Sequence, residues 1–276
     1  MNQSDVHLLD LLNEILLIIL KKLNNIDVLY SLLNINNERL NILAHEKIFS
    51  TITLVSMDNI SSIDPGKLDR FCIDILPRIH HNVKCLFLEP LSMERILLST
   101  NYPKLTKLKL FNFKQEFALR YFTNIGNIFP KTVFKYVTYL LVEDILPFNH
   151  EFFIRVGQAF PLLNIFRVIN EELQSCCNFN TFSSDNNRSN PIAEYPHLTV
   201  LDLRNAHFDY VEQFLNETKT YLPCLTELTV FYTNLRIATE NFTREETRRN
   251  CAKVKQLFIV IPLVHSKDFY LYFPSL

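Results

Sequence analysis

Apolar residues near the start of the chain recur at helical spacing. Leu8, Leu9, Leu12, Ile15, Leu16, Ile19, Leu20 and Leu23 fall at i, i+1, i+4, i+7, i+8, i+11, i+12 and i+15, which is one face of an α-helix. Asn24 and Asn25 then signal a turn. Asp27 suits the N-cap of a second short helix carrying Leu29, Leu32 and Leu33, and Asn36 that of a third carrying Leu40 and Leu43. Leu11, Leu17 and Ile18 lie off the main stripe, so the first helix is more apolar than one buried face requires. A unit of about 40 residues has little core of its own and ordinarily needs a partner surface. That surface is either the rest of this chain or another protein.

From Phe49 onward the period changes. An apolar residue is followed by another three positions later and a third two positions after that. Phe49-Ile52-Leu54, Val83-Leu86-Leu88, Leu105-Leu108-Leu110, Val137-Leu140-Val142, Leu163-Phe166-Val168, Leu198-Leu201-Leu203, Leu225-Leu228-Val230 and Val254-Leu257-Ile259 all fit, with starts 34, 22, 32, 26, 35, 27 and 29 residues apart. The last two apolar positions of each copy alternate as on a strand. A proline phrase introduces several copies: Tyr102-Pro103-Lys104-Leu105, Phe160-Pro161-Leu162-Leu163, Tyr195-Pro196-His197-Leu198 and Leu222-Pro223-Cys224-Leu225. Phe273-Pro274-Ser275-Leu276 opens another at the end of the sequence. Proline stops the preceding helix and biases the residue before it toward extended backbone.

Helices are predicted between the strands at Ser92 to Leu98, Glu151 to Phe160 and Asp209 to Tyr221, and Thr243-Arg244-Glu245-Glu246 has the form of a capping box opening a helix toward Cys251. Asn170 to Glu194, with its Ser, Asp and Asn run, reads as a surface loop inside one repeat. A strand and a helix repeating every 22 to 35 residues is the signature of a leucine-rich-repeat type of solenoid.

Composition narrows the function. The 276 residues are 48% hydrophobic and 21% charged, which supports a packed core rather than disorder. A net charge of −1 provides no general field for nucleic acid. Three isolated glycines cannot build a glycine-rich phosphate loop, whereas 27 asparagines supply residues that tolerate left-handed turns. The longest strongly apolar run, 15–20, is too short to span a membrane. The N-terminus lacks the basic first region of a signal peptide. Cysteines at 72, 85, 176, 177, 224 and 251 make no staple pattern, which favours a reducing compartment, the cytoplasm or the nucleus.

Chemistry-bearing clusters are sparse. His80-His81 near Cys72 and Cys85 fits no zinc spacing, and Cys176-Cys177 has no histidine nearby in sequence. Glu171-Glu172 and Glu245-Glu246 suit solvated helix faces better than acid–base pairs. Arg248-Arg249 with Lys253 and Lys255 is the best basic cluster, offset by Glu245 and Glu246. No catalytic residue, metal ligand or cofactor is expected, and the chain reads as a non-enzyme.

The N-terminal 40 residues resemble an F-box. The residues that carry the resemblance are Leu11-Leu12-Asn13-Glu14-Ile15-Leu16, then Ile19, Leu20 and Leu23, then Asn24-Asn25-Ile26-Asp27-Val28-Leu29, and finally Leu32-Leu33-Asn34-Ile35-Asn36-Asn37-Glu38-Arg39-Leu40. Leu12 stands where that family has proline. The remainder resembles leucine-rich repeats, with Phe113, Ile145, Glu171, Ala206, Thr233 and Pro262 at the position where those repeats carry Asn or Cys. The resemblance implies an α/β chain: a three-helix F-box over 8–47 and an irregular leucine-rich-repeat solenoid with a parallel sheet over 48–276.

That pairing implies a substrate-recognition subunit of a cullin-based ubiquitin ligase. The F-box would dock on the S-phase-kinase-associated (Skp) adaptor, and through it a cullin, while the repeats hold a protein substrate; no nucleic acid or membrane partner is expected. The alternative is a repeat scaffold unconnected to ubiquitin transfer, its N-terminal helices capping the solenoid. The implied adaptor-binding residues are Leu11, Leu12, Glu14, Ile15, Leu16, Ile19, Leu20, Leu23, Asp27 and Leu29. Some of these leucines must close the helical core, and sequence alone does not divide the two groups. Strand alternation places Lys107, Lys109, Phe111, Tyr139, Glu143, Arg167, Asp202, Arg204, Glu227, Phe231 and Phe258 on the concave, substrate-facing side. Cys85, Leu141 and Thr229 join them by the same rule.

Overall fold

The computed structural model describes residues 10–23, 28–30, 37–39, 42, 50–54, 64–113, 134–144, 148, 150–170, 191–260 and 267–276. Two compact units divide the chain, Met1–Leu105 and Thr106–Leu276.

In the first unit, helix α1 (Asn13–Leu20) buries Leu16 and Leu20 one turn apart. Val28–Tyr30 are helical and bury Val28 and Leu29. Asp64 caps α2 (Pro65–Arg70) by accepting from Lys67 N–H at 2.9 Å. A π-type turn, Phe71–Ile75, joins α2 to α3 (Leu76–Ile79). Pro77 explains it, because proline has no N–H for the α pattern and its ring crowds the turn before it. Strand β1 (Thr51–Leu54) pairs in parallel with β2 (Cys85–Leu88), and α4 (Pro90–Ser99) follows with Pro90 at its first position. Ile52, Leu54, Phe71, Leu76, Ile79, Leu86, Leu88 and Ile96 form this unit's core.

The second unit carries six parallel strands in chain order: β3 (Lys107–Phe113), β4 (Tyr139–Asp144), β5 (Ile165–Asn170), β7 (Val200–Asn205), β9 (Glu227–Phe231) and β10 (Gln256–Val260). A second small sheet pairs β6 (Ala193–Glu194) with β8 (Thr220–Tyr221). The helices are α5 (His150–Ala159), α6 (Phe208–Leu215), α7 (Tyr232–Ala238), α8 (Glu245–Cys251) and α9 (Lys267–Tyr272). All eight apolar phrases coincide with a main-sheet strand that begins two residues after the phrase opens. Their inward residues line up in register as Leu108, Leu140, Phe166, Leu201 and Leu228, each fully buried.

The proline phrase is a turn. In four copies the closing Leu donates its N–H to the carbonyl three residues back: Leu105 to Tyr102, Leu163 to Phe160, Leu198 to Tyr195 and Leu276 to Phe273. Proline at the second position presets φ for that turn. The next residue locks neighbouring strands together. The Thr106 carbonyl accepts from the N–H groups of both Thr138 and Tyr139, and the carbonyls of Thr138, Asn164, Thr199 and Thr226 each accept two donors from the following copy in the same way. Thr199 and Thr226 add their hydroxyls to the carbonyls of Asn164 and Thr199. The polar position after the opening apolar residue therefore sets strand register in these five copies.

Aromatic residues fill the helix side. Phe153 of α5 and Phe214 of α6 stand 5.0 Å apart, centroid to centroid, and both meet Phe166 of β5. Tyr195 closes the group and donates its hydroxyl to the Phe153 carbonyl at 2.7 Å. Asn250 of α8 donates to the carbonyls of Phe214 and Leu215, satisfying acceptors left over at the end of α6, and to that of Thr220 in β8. Between α7 and α8, Glu240, Asn241 and Phe242 all have positive φ. Burial of the Phe242 ring against Phe269, Tyr272 and Phe273 offsets that strain.

Three sequence expectations need correction. The helix foreseen over Asp209–Tyr221 ends at Leu215, because the Thr220 hydroxyl bonds back to the Gln213 carbonyl and Thr220–Tyr221 pair as a strand. The loop foreseen over Asn170–Glu194 is shorter at both ends, since Asn170 belongs to β5 and Ala193–Glu194 to β6; residues 171–190 lie outside the described ones. The capping box at Thr243 does not form: its hydroxyl donates to the Glu240 carbonyl at 2.6 Å, and α8 begins after Arg244 without a side-chain cap. Where the repeat pattern would place Asn, the chain has Thr233, and the neighbouring Asn234 bonds the previous copy, donating to the Ala206 carbonyl at 3.0 Å. The caps foreseen at Asp27 and Asn36 lie outside the described residues.

Candidate interaction surfaces

Helix α1 separates its apolar residues into two groups. Leu16 and Leu20 are buried inside the first unit, at 1% and 4% exposure. Leu12, Ile15 and Ile18, spaced i, i+3 and i+6, are exposed at 66%, 42% and 60%, and Leu23 at 52%. Helical spacing of three keeps Leu12, Ile15 and Ile18 on one flank. Leu11, Leu17 and Ile19 are half-buried, and Glu14 is exposed. Arg39 ties down the start of the helix, donating Nε to the Asn13 side chain at 2.7 Å and an Nη to the Leu11 carbonyl.

This corrects three of the expected adaptor contacts. Leu16, Leu20 and Leu29 are core residues, because they sit on the flank turned toward their own unit. Beside Leu29, Tyr30 packs on Phe71 of the π-type turn, beneath Arg70, and donates its hydroxyl to the Lys67 carbonyl. Burial pushes the Tyr30 phenol up to about 12, against the opposing charge of Arg70. Asp27 lies outside the described residues.

The second surface is the outward face of the six main-sheet strands of the second unit. Parallel sheets are ordinarily covered on both faces, yet here Lys107, Arg204 and Phe258 are exposed and Phe111, Tyr139, Glu143, Ile165, Arg167, Ile169, Glu227 and Phe231 half-buried. The register aligns one row across the strands: Lys109, Leu141, Arg167, Asp202, Thr229 and Phe258. Lys109 Nζ lies 5.9 Å from the centre of the Tyr139 ring.

Asp202, expected to be exposed on this face, is buried, and neighbouring side chains explain why. Arg204 donates Nε at 3.0 Å and its backbone N–H at 3.2 Å to Oδ1, while Arg167 Nε stands 3.3 Å from Oδ2. Two guanidiniums thus cover one carboxylate. That hydrogen bond and the Asp202 charge raise the Arg204 guanidinium further above its usual value. Arg167 Nε approaches at an unfavourable angle and, shut off from solvent, makes no hydrogen bond. Leu141 and Thr229 are buried by the rows beside them and Cys85 on β2 is buried also, so alternation identified the outward positions but overstated their exposure.

Other polar clusters pair within the chain. His80 Nδ1 meets the Thr100 hydroxyl at 3.0 Å, and burial with the neighbouring His81 lowers its pKa. Glu212 receives Lys219 at 3.1 Å and Arg244 at 3.3 Å. Among the described residues, no three His, Cys, Asp or Glu side chains gather closely enough to hold a metal ion, and no helix is long and apolar enough to cross a membrane. The double-acceptor carbonyls and the Arg–Asp–Arg group were missed in the sequence; Thr or Asn directly after the opening apolar residue in five copies was the available sign of the former. No protein-family model, curated protein or solved structure matches the chain.

Proposed function

We propose that this chain is the substrate-recognition subunit of a Skp–cullin–F-box ubiquitin ligase, with an F-box at 8–47 and a leucine-rich-repeat solenoid over 48–276. The observation that supports it best is the exposed row Leu12, Ile15 and Ile18 on a helix whose opposite flank is already buried. Full burial of such a side chain is worth roughly 1.5–3 kcal/mol. These residues with Leu23 are about half exposed, so covering them contributes roughly 3–6 kcal/mol before association costs. That suffices for a docking surface helped by polar contacts such as Glu14. The repeated strand phrase, the proline turn, the shared carbonyls and the Asn234 bridge support the solenoid reading. The outward sheet face is then the substrate platform, and the subunit performs no chemistry itself.

The scaffold alternative draws support from the burial of Leu29 and the packing of Tyr30 on Phe71, which tie this region to its own unit. Co-purification with the Skp adaptor separates the two. The wild-type chain retains the adaptor under the receptor reading, and Ile15→Asp with Ile18→Asp loses it. Equal behaviour of the two chains favours the scaffold.

A further inference from the structure

Resting on the receptor reading, we propose that the outward sheet face receives an acidic peptide segment, with a substrate carboxylate seated between Arg167 and Arg204 and a bulky apolar neighbour against the adjacent aliphatic and aromatic residues. The charge count at the centre of the face points to this. Two arginines address one carboxylate, Asp202, so this cluster itself carries one more positive than negative charge, while Glu143 and Glu227 stand on the same face beside Ile169 and Val200. Arg204 spends Nε and its backbone N–H on Asp202, so its terminal nitrogens remain for a planar two-oxygen acceptor. Arg167 is incompletely paired, since its Nε makes no hydrogen bond. Both side chains stay accessible, at 32% and 45%, whereas Asp202 is at 11%. Asp202 therefore holds the two arginines in place from beneath. Ile165, Ile169 and Val200 lie on the same face beside this group, and Phe258 is exposed in its row. Charge and apolar surface together fit a peptide bearing Asp or Glu next to a large apolar residue.

The test uses the full chain, immobilised, and a phage library of random dodecapeptides. Peptides recovered on the wild-type chain should carry at least twice the Asp and Glu content of the starting library, with an apolar residue adjacent to the acid. Changing that acid to its amide in synthetic copies should weaken binding about tenfold. Arg204→Gln, and Arg167→Gln with Arg204→Gln, should abolish the enrichment, whereas Arg249→Gln with Lys253→Gln should preserve it. Asp202→Asn removes the internal competitor and should tighten binding of the acidic peptides, a change that a purely structural role for the cluster would not produce. Thermal melting checks that each variant is folded, and the single Arg204→Gln variant, altered at an exposed side chain, keeps the test available if the double variant unfolds. Recovery of no peptide, recovery without acid enrichment, or equal enrichment on Arg204→Gln would overturn the proposal. Adaptor retention depends on α1 and is read separately, so a chain that keeps its adaptor but shows no acid enrichment refutes the peptide site alone. Acid enrichment without adaptor retention refutes the receptor reading alone.

Discussion

Gly157 of α5 lies so close to Glu194 of β6 that a Cβ on the glycine would stand 2.6 Å from the Glu194 carbonyl oxygen. Alanine is the better helix former by about 1 kcal/mol, so helix propensity alone would make Gly157→Ala stabilising. The clash reverses the sign, because the obstacle is backbone rather than a flexible side chain. Gly157→Ala is expected to lose about 1–3 kcal/mol in denaturant unfolding; unchanged or increased stability would show that α5 and β6 are not in close contact.

Asn250 bridges three carbonyls from two elements, and replacing it leaves buried acceptors unsatisfied, at about 1–3 kcal/mol for such a loss. Asn250→Ala should destabilise the second unit by about 2 kcal/mol or more. Asn250→Asp should be worse still, since it sets carboxylate oxygens against carbonyls. Chemical denaturation at neutral pH gives the order wild type, Ala, Asp; a more stable Asp variant would contradict the assigned bonds.

Glu212 supplies a pH test. Burial raises its pKa, but the hydrogen bond from Lys219 and the charges of Lys219 and Arg244 outweigh it and hold the carboxyl below its ordinary value. A depressed folded pKa contributes stability that is present above the ordinary carboxylate value and lost as pH falls through the folded one. Glu212→Gln should therefore cost roughly 1 kcal/mol at neutral pH. The difference from wild type should shrink in acid. A cost independent of pH would assign the loss to packing.

Cysteine labelling reports on unit cores. Cys224 is exposed, Cys85 and Cys251 are buried, and Cys72 is intermediate. Burial raises the Cys251 thiol far above its usual value and the Cys72 thiol above it too. Among these four cysteines, maleimide followed by peptide mass mapping should modify Cys224 first in the native chain, and Cys85 and Cys251 only on unfolding.

Particular residues show what was legible. The spacing of Leu105, Leu108 and Leu110 recurs because alternate strand residues turn to the less exposed side, even in β10, where none is fully buried, so all eight main-sheet strands could be located from the phrase. The same alternation picked out Arg167 and Arg204 on the outward face. It missed the burial of Asp202, because period-two logic assigns a face but not the cover supplied by neighbouring long side chains. Leu16 and Ile15 were indistinguishable in sequence: both belong to one apolar stripe, and only tertiary packing divides it into core and exposed flank. Asparagine was a fair sign of left-handed turns at Asn241, yet Glu240 and Phe242 share that conformation because the buried Phe242 ring imposes it. The strands β6 and β8 are too short for any periodic signal.

The decisive measurement is an equilibrium titration of the purified full chain with the purified Skp adaptor, wild type against Ile15→Asp with Ile18→Asp, each shown to be folded by its melting profile. Both substitutions fall on exposed positions, so the fold should survive while the adaptor's apolar contact is lost. Saturable binding by the wild type, weakened about a hundredfold or more in the variant, is the expected result. No binding by the wild type, or equal binding by both folded chains, would contradict it.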